Sequence, residues 1–354
     1  MREDNMPQIS DRVQLFTDSV IRRMTRISNK YGAINLSQGF PDFDPPRQMK
    51  EALAKAALEG PHQYSVTFGA KNLREAIYIP LVPPEYTFDR ELIEQGFKQG
   101  AKAIVICNPS NPCGKVFTEE ELRAIGDLAL RYDAYVVTDE VYEHLVYEPY
   151  HHTYMSALSG MYDHTITCNS LSKTFSVTGW RLGYIIGPER VVEAAKKVHD
   201  FLTVGAAAPL QEAAVAGLML DDSYYEELKQ LYTGKRDYML EGLDRTGLKH
   251  NVPQGTYFIM LDIQEFLDTK MFKGRSDLEF CEWMIKEVGV AAVPGSSFFR
   301  EDVNRYIRLH FARGEEVLEE AIKRLTKLKQ LPYNADYSAA PAHSVRSSAH
   351  LDRT

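Results

Sequence analysis

The 354-residue chain has few cysteines, and those it has show no pairing pattern. Cys107, Cys113, Cys168 and Cys281 lack C-x-x-C spacing, so neither a zinc site nor a disulfide framework is indicated, and all four read as reduced thiols. Positive charge is also short: 41 lysines and arginines face 49 acids, a formal net charge of −8. Without a basic footprint, neither nucleic acid nor an anionic membrane surface is an expected partner. No apolar run approaches the roughly 20 residues of a membrane span. Met1 to Ser10 has neither the apolar stretch of a signal peptide nor the Arg-rich face of a transit peptide, so a cytoplasmic location is expected. No internal repeat is present. These absences leave a small-molecule function as the expectation.

What is present is a series of short apolar runs ending in polar residues: Ala103–Cys107, Tyr135–Thr138, Thr165–Cys168 and Leu182–Ile186. Runs of that length read as buried strands. Between the first two, Thr118-Glu-Glu-Glu-Leu-Arg has the form of a capped helix start, and helical spacing continues to about Tyr132, which makes a βαβ unit. Pro188 opens another helical stretch to Phe201, and Pro209 opens helical patterns that run to about Leu243. The core is therefore α/β. Tyr257–Asp262 and Tyr306–Phe311 read as strands of a separate α+β region, with a helix over Ser276–Val288 between them. The tail from Tyr333 to Thr354 is rich in Ala, Ser and His without periodicity, and disorder is expected there.

Three polar loops follow three of these strands. Asn108-Pro-Ser-Asn111-Pro-Cys-Gly114 contains two Asn-Pro steps and a glycine, which force a tight non-helical loop. The Tyr135 strand ends in Asp139-Glu140-Val141-Tyr142, placing a carboxylate at the carboxyl end of a strand, where α/β sheets bind ligands. The next strand ends in Ser170-Leu-Ser-Lys173. A lysine there is open to desolvation, which favours a nucleophilic neutral amine. Arg181, eight residues on, offers a guanidinium suited to bidentate phosphate contact. Singly, each has an ordinary explanation as a cap, a surface acid or a surface lysine. Together they supply what a pyridoxal-phosphate (PLP) site needs: a partner for the pyridine nitrogen, donors to the ring oxygen, a Schiff-base lysine and a phosphate anchor. His144, His151 and His152 have no acid or cysteine at ligand spacing, so no metal is assigned.

The segments NPSNPCG, TDEVYEH and SLSKTFSVTGWRLGY, with NLSQGFPDF before them and YIRLHFAR after, resemble in order and spacing the class I/II aminotransferases. The resemblance runs from about Phe16 to Leu331, and the opening resembles the branch acting on methionine, glutamine, aromatic amino acids or kynurenine. It implies the PLP-transferase fold type I, with a large doubly wound, mostly parallel sheet domain over 46–239, a smaller α+β domain from 12–45 and 240–331, and a disordered tail at 332–354. It also implies amino-group transfer between an L-amino acid and a 2-oxo acid. Carried over by residue, Lys173 would hold the cofactor and move the proton. Asp139 would keep the pyridine nitrogen protonated, Asn111 and Tyr142 would bond the ring oxygen, and Ser170 and Arg181 would bind phosphate. Arg308 would take the substrate α-carboxylate, assisted by the Gly39 backbone and Asn111. Tyr64 would reach the phosphate of a neighbouring subunit, which implies a homodimer with shared active sites. A carbon–sulfur β-lyase is the alternative within PLP chemistry.

One stretch departs from the pattern. The family places two further βα units, of roughly 30 residues each, where Leu73-Arg-Glu-Ala-Ile77 here runs directly into Tyr78-Ile-Pro-Leu. Those units normally supply a small-residue turn that caps the cofactor phosphate at a helix N-terminus, and an aromatic ring stacked on the pyridine. Gly69, Gly96 and Gly100 are the glycines between Pro61 and Cys107, and none sits in a strand-to-helix turn. The sheet is thus expected to lack two strands, with Tyr78–Val82 moving in to pair with Ala103–Cys107 and Leu182–Ile186 becoming an exposed edge. Weak cofactor binding, or a non-catalytic remnant, would follow.

Overall fold

A computed structural model describes residues 20–39, 41–59, 78–299 and 303–330. Tyr64 and the tail expected to be disordered lie outside these residues. In chain order the first elements are α1 (Val20–Tyr31), β1 (Ile34–Asn35), α2 (Arg47–Glu59), α3 (Arg90–Lys98), β2 (Ala103–Cys107), α4 (Glu119–Arg131) and β3 (Tyr135–Asp139). They continue with β4 (Thr165–Ser170), α5 (Leu171–Thr174), β5 (Gly183–Ile186), α6 (Glu189–Thr203), α7 (Ala208–Leu218) and α8 (Asp222–Thr246). The last are β6 (Phe258–Asp262), α9 (Gln264–Leu267), α10 (Asp277–Glu287), β7 (Val290–Ala291), β8 (Val293–Pro294), β9 (Tyr306–His310) and α11 (Glu315–Leu325).

The βαβ unit forms as its sequence implies. Thr118 caps α4 and Glu121 closes a capping box, while Glu119, Glu120 and Glu121 place negative charge on the positive end of the helix dipole. β2 and β3 pair in parallel, with Ala103 opposite Tyr135 and Cys107 opposite Asp139. β4 adds in parallel to β3, and β5 adds antiparallel to β4 with Gly183 opposite Ser170, giving the order β2-β3-β4-β5. Because three strands share a direction and the fourth runs back, the loops after β2, β3 and β4 and the entry to β5 meet at one end of the sheet. Ile93, Phe97, Ile106, Leu122, Ile125 and Val136 form the core between this sheet and α3 and α4. A second cluster joins Met49 of α2 and Ala214 of α7 to Leu171, Phe175 and Leu182. Gly217 lets α2 and α7 approach, since a side chain there would meet Met49.

The expected pairing of Tyr78–Val82 with β2 does not form. Among the described residues Val82 bridges only Thr87, its N–H donating to the Thr87 carbonyl at 2.7 Å. Pro80, Pro83 and Pro84 explain the difference, because each lacks the N–H a ladder requires. Ile79, Leu81 and Phe88 instead pack against the α3–α4 core. Among the described residues β2 is thus a sheet edge, with Val105 73% exposed. β5 is the other edge, and all four of its residues are exposed.

A three-stranded sheet of order β6-β9-β8 builds the second core, where Phe280 and Trp283 of α10 pack with Phe266 and Phe272. Ser276 and Glu279 cap α10 in the same reciprocal manner as α4. β1 pairs in parallel with β7, which ties the N-terminal segment to the C-terminal region. α8 spans both cores: Tyr224 and Tyr225 pack on the α2–α7 cluster, while Leu228, Tyr232, Met239 and Leu243 belong to the second core. No described helix is long and apolar enough to cross a membrane. All four cysteines are free.

Candidate active site

Lys173 lies in α5, a single turn whose N-cap is Ser170; the Ser170 hydroxyl accepts from the Ser172 N–H at 3.2 Å and donates to the Leu182 carbonyl at 2.9 Å. From this turn Lys173 Nζ reaches the Gly39 carbonyl at 3.4 Å, with its ammonium 6.0 Å from the Tyr257 ring. Burial lowers the amine to about 8, helped by the positive charges of Arg181 and Arg308 and opposed by Asp139. Those three side chains therefore share one electrostatic neighbourhood with the lysine. Gly39 must be glycine here, because a Cβ would strike the Phe258 ring. Its carbonyl also accepts the Tyr257 hydroxyl at 3.2 Å.

Arg308, in β9, is 3% exposed. Its guanidinium donates to Asn111 Oδ1 at 2.5 Å and to the Ser37 carbonyl at 3.1 Å, and lies 4.0 Å from the Phe258 ring centre and 4.6 Å from that of Phe298. Nε has no hydrogen-bond partner, and no carboxylate pairs with the group among the described residues. Burial lowers it to about 10, against the pull of Tyr142 and Tyr257. A buried cation flanked by rings and neutral oxygens is a site prepared for an anion.

Asp139, at the end of β3, is open to solvent, yet its protein surroundings strip enough water to raise its carboxyl above the ordinary range, while the Val141 N–H at 3.3 Å pulls it back. Tyr142 is 3% exposed, crosses the Tyr257 ring edge-on at 5.4 Å, and is pushed well above the usual phenol range by burial. The Tyr257 hydroxyl and Lys173 Nζ share the Gly39 carbonyl as acceptor, which places the Tyr142–Tyr257 ring pair beside the lysine. Arg181 is exposed, holds a left-handed backbone at φ 56°, and donates to the Thr178 carbonyl at 2.9 Å. Ser170 and Arg181 thus already have protein partners at the end expected to hold phosphate.

Sequence reasoning missed Tyr257, Phe258, Phe298 and Ser37. The first two lie in an apolar strand and its lead-in, which reads as core, and Phe298 sits in a short loop with no pattern of its own. It also missed that the fold supplies acids to a histidine: Glu140, Glu143 and His152 bring their ligand atoms within 4.8 Å of one another, with His152 Nε2 3.3 Å from Glu140. The absence of ligand spacing along the chain was therefore a poor guide, because the turn after β3 and the loop before β4 meet in space. A larger open cavity of about 680 Å³, between residues 264–275 and 303–305, shares no residue with the lysine site.

The strand ends of the four-stranded sheet gather an amide, an acid, a phenol and a desolvated lysine, and β9 of the second sheet adds a buried arginine with no carboxylate partner among the described residues, a donor set that suits a fold-type-I aminotransferase. The aminotransferase class I and II profile matches residues 75–325, and the chain belongs to that family. It is a PLP-dependent aminotransferase that moves amino groups between amino acids and 2-oxo acids. Kynurenine–oxoglutarate transaminase 3 of Bos taurus is 29% identical over 88% of this chain and 88% of its own. Methionine aminotransferase of Escherichia coli is 27% identical over 88% of this chain and 96% of its own. The solved N-succinyldiaminopimelate aminotransferase of Mycobacterium tuberculosis superposes with a TM-score of 0.81 at 26% identity, covering 91% of this chain and all of that one. The alignment with the bovine enzyme runs over 400 positions, more than the 354 residues of the chain, so that relative carries internal residues with no counterpart here.

The donor set fits PLP at the ring end, where a lysine lowered to about 8 stands within the field of an acid with a raised carboxyl. At the phosphate end it offers one serine pair and one exposed arginine.

Proposed function

We propose that Lys173 is the lysine that carries PLP, and that Arg308 binds the α-carboxylate of both the amino and the oxo acid. The observation that supports this best is the buried Arg308 guanidinium without a carboxylate partner, in the same field as a lysine lowered to about 8. Bound PLP supplies an electron sink for charge developing at the substrate α-carbon. Arg308 and Asn111 fix the carboxylate, which turns the α-carbon toward the lysine. Lys173, freed as an amine when the substrate amino group takes its place and neutral in a sizeable fraction near pH 8, would take the proton from that carbon and hold it for return to the substrate–cofactor adduct. Asp139 would hold the positive nitrogen of the ring, Tyr142 and Asn111 its hydroxyl oxygen, and Ser170 and Arg181 its phosphate. Tyr64 is the residue we assign to a neighbouring subunit's phosphate, with a homodimer as the working assembly. The large unit is taken as 46–239 and the small one as 12–45 with 240–331, bridged by α8. The two family units absent from the sequence are placed after Ile77.

The test is to supply PLP, an amino donor and a 2-oxo acid and follow both products. Equal amounts of new oxo acid and new amino acid are expected. Release of ammonia with pyruvate from a sulfur-bearing donor would instead identify a β-lyase.

A further inference from the structure

We propose that the cavity between residues 78–86 and Phe298–Phe299 receives the substrate side chain and selects large apolar or aromatic amino acids over acidic ones. The proposal rests on Arg308 as the carboxylate anchor and adds the substrate class. The cavity measures about 210 Å³, and its walls include Ile79, Leu81, Tyr86, Cys113, Phe298 and Phe299. Two further facts tie it to the anchor. Asn111, which also lines it, accepts from the Arg308 guanidinium at 2.5 Å, and the Phe298 ring stands 4.6 Å from that same group. The guanidinium and the cavity therefore share two walls, and a carboxylate on Arg308 leaves a side chain one carbon away within reach of the cavity.

The chemistry of the walls sets the class. Among the described residues no charged side chain lines the cavity, so a second carboxylate entering it would lose water and gain no cationic partner. Tyr86 and Cys113 are 6% and 3% exposed and pack with Met260, Leu81, Phe299 and Tyr306, and burial raises both of their pKa values, which keeps the lining neutral. One wall is the segment that the prolines keep out of the sheet. It is held there by the Val82–Thr87 bridge and by Ile79 and Leu81 against the α3–α4 core. A wall made this way is a feature of this chain's own Tyr78–Tyr86 sequence.

The experiment measures binding of plain carboxylates, which have no amino group to react, by calorimetry on the PLP-loaded protein. Burying a phenyl ring should make 3-phenylpropanoate bind about tenfold to a hundredfold tighter than acetate. Succinate should bind no tighter than acetate. Leu81→Lys should cut the phenylpropanoate advantage at least about fivefold and improve succinate, and Ile79→Ser, a milder change on the same wall, should cut the advantage without improving succinate. Arg308→Lys separates the two readings: it should weaken acetate and phenylpropanoate alike, and unchanged affinities there would count against the anchor and not the cavity. A wild-type phenylpropanoate affinity no better than that of acetate overturns the proposal, with failure of both to bind counted as that outcome. So does a preference for succinate, or a phenylpropanoate advantage untouched by both wall variants.

Discussion

Arg308 carries a clear energetic signature, since a guanidinium 3% exposed and flanked by Phe258 and Phe298 has given up its hydration without a counter-charge among the described residues. A planar fork matches a carboxylate in a way an ammonium cannot. Arg308→Lys is therefore expected to raise the Michaelis constants of amino donor and oxo acceptor together, by about tenfold to a hundredfold, and to leave the cofactor's visible absorption band in place. Steady-state kinetics and absorption spectra check both halves. Lys173 gives a pH prediction. Its folded pKa of about 8 lies below the unfolded value, so between about 8 and 10.4 the unfolded chain binds more protons and stability rises with pH. Below that window the full cost of the buried ammonium applies. Lys173→Met should thus stabilise the cofactor-free protein by about 2 to 3 kcal/mol at pH 7, with the gain fading toward pH 10, as read by denaturant unfolding at several pH values. Of the residues proposed for the site, Lys173, Asp139 and Asn111 were legible as polar groups in the loops that follow apolar strands, whereas Arg308 came only with the family resemblance. Tyr257 and Phe298 were not, because aromatic side chains in apolar stretches carry no mark that separates a ligand wall from core.

At the scale of elements, the strands and capped helices follow the sequence closely: Thr118 and Ser276 each begin the helix that their S/T-x-x-E spacing predicts. The exception is instructive. Tyr78–Val82 has strand-like apolar content, and its prolines decide against a ladder, so the segment becomes a wall over residues 110–113 and 298–299. The sheet is left with two edges among the described residues, and the middle of β2 presents Val105 at 73% exposure. Open apolar edges pair with other chains unless charge blocks them. Val105→Lys is expected to raise the concentration at which the protein self-associates while shifting the unfolding free energy by less than about 1 kcal/mol. Light scattering and denaturant titration measure the two. A variant that aggregates as readily as the parent would show that the β2 edge is covered.

For the molecule as a whole, family membership was legible from five motifs in order, while a gap can be read only as an absence, and its structural consequence had to come from the fold. On the proposal that two βα units are absent after Ile77, and with Ser170 and Arg181 bonded within the protein, the phosphate should contribute less to cofactor affinity than the complete family arrangement would allow. An aromatic stack and a helix-terminus contact are each worth about 1 kcal/mol, so on that proposal PLP binding is expected to be weaker by about tenfold or more. Replacing PLP by pyridoxal should consequently cost this protein little affinity, and a version with two βα units restored after Ile77 should regain both affinity and turnover, as fluorescence titration of the two cofactors would report. The claim on which the rest depends is that Lys173 is the cofactor lysine. Borohydride reduction of the protein at saturating PLP, followed by peptide mapping, decides it: the pyridoxyl group is expected on Lys173 in the peptide containing Ser170-Leu-Ser-Lys173, and a label confined to any other lysine, or none at all, would overturn the assignment.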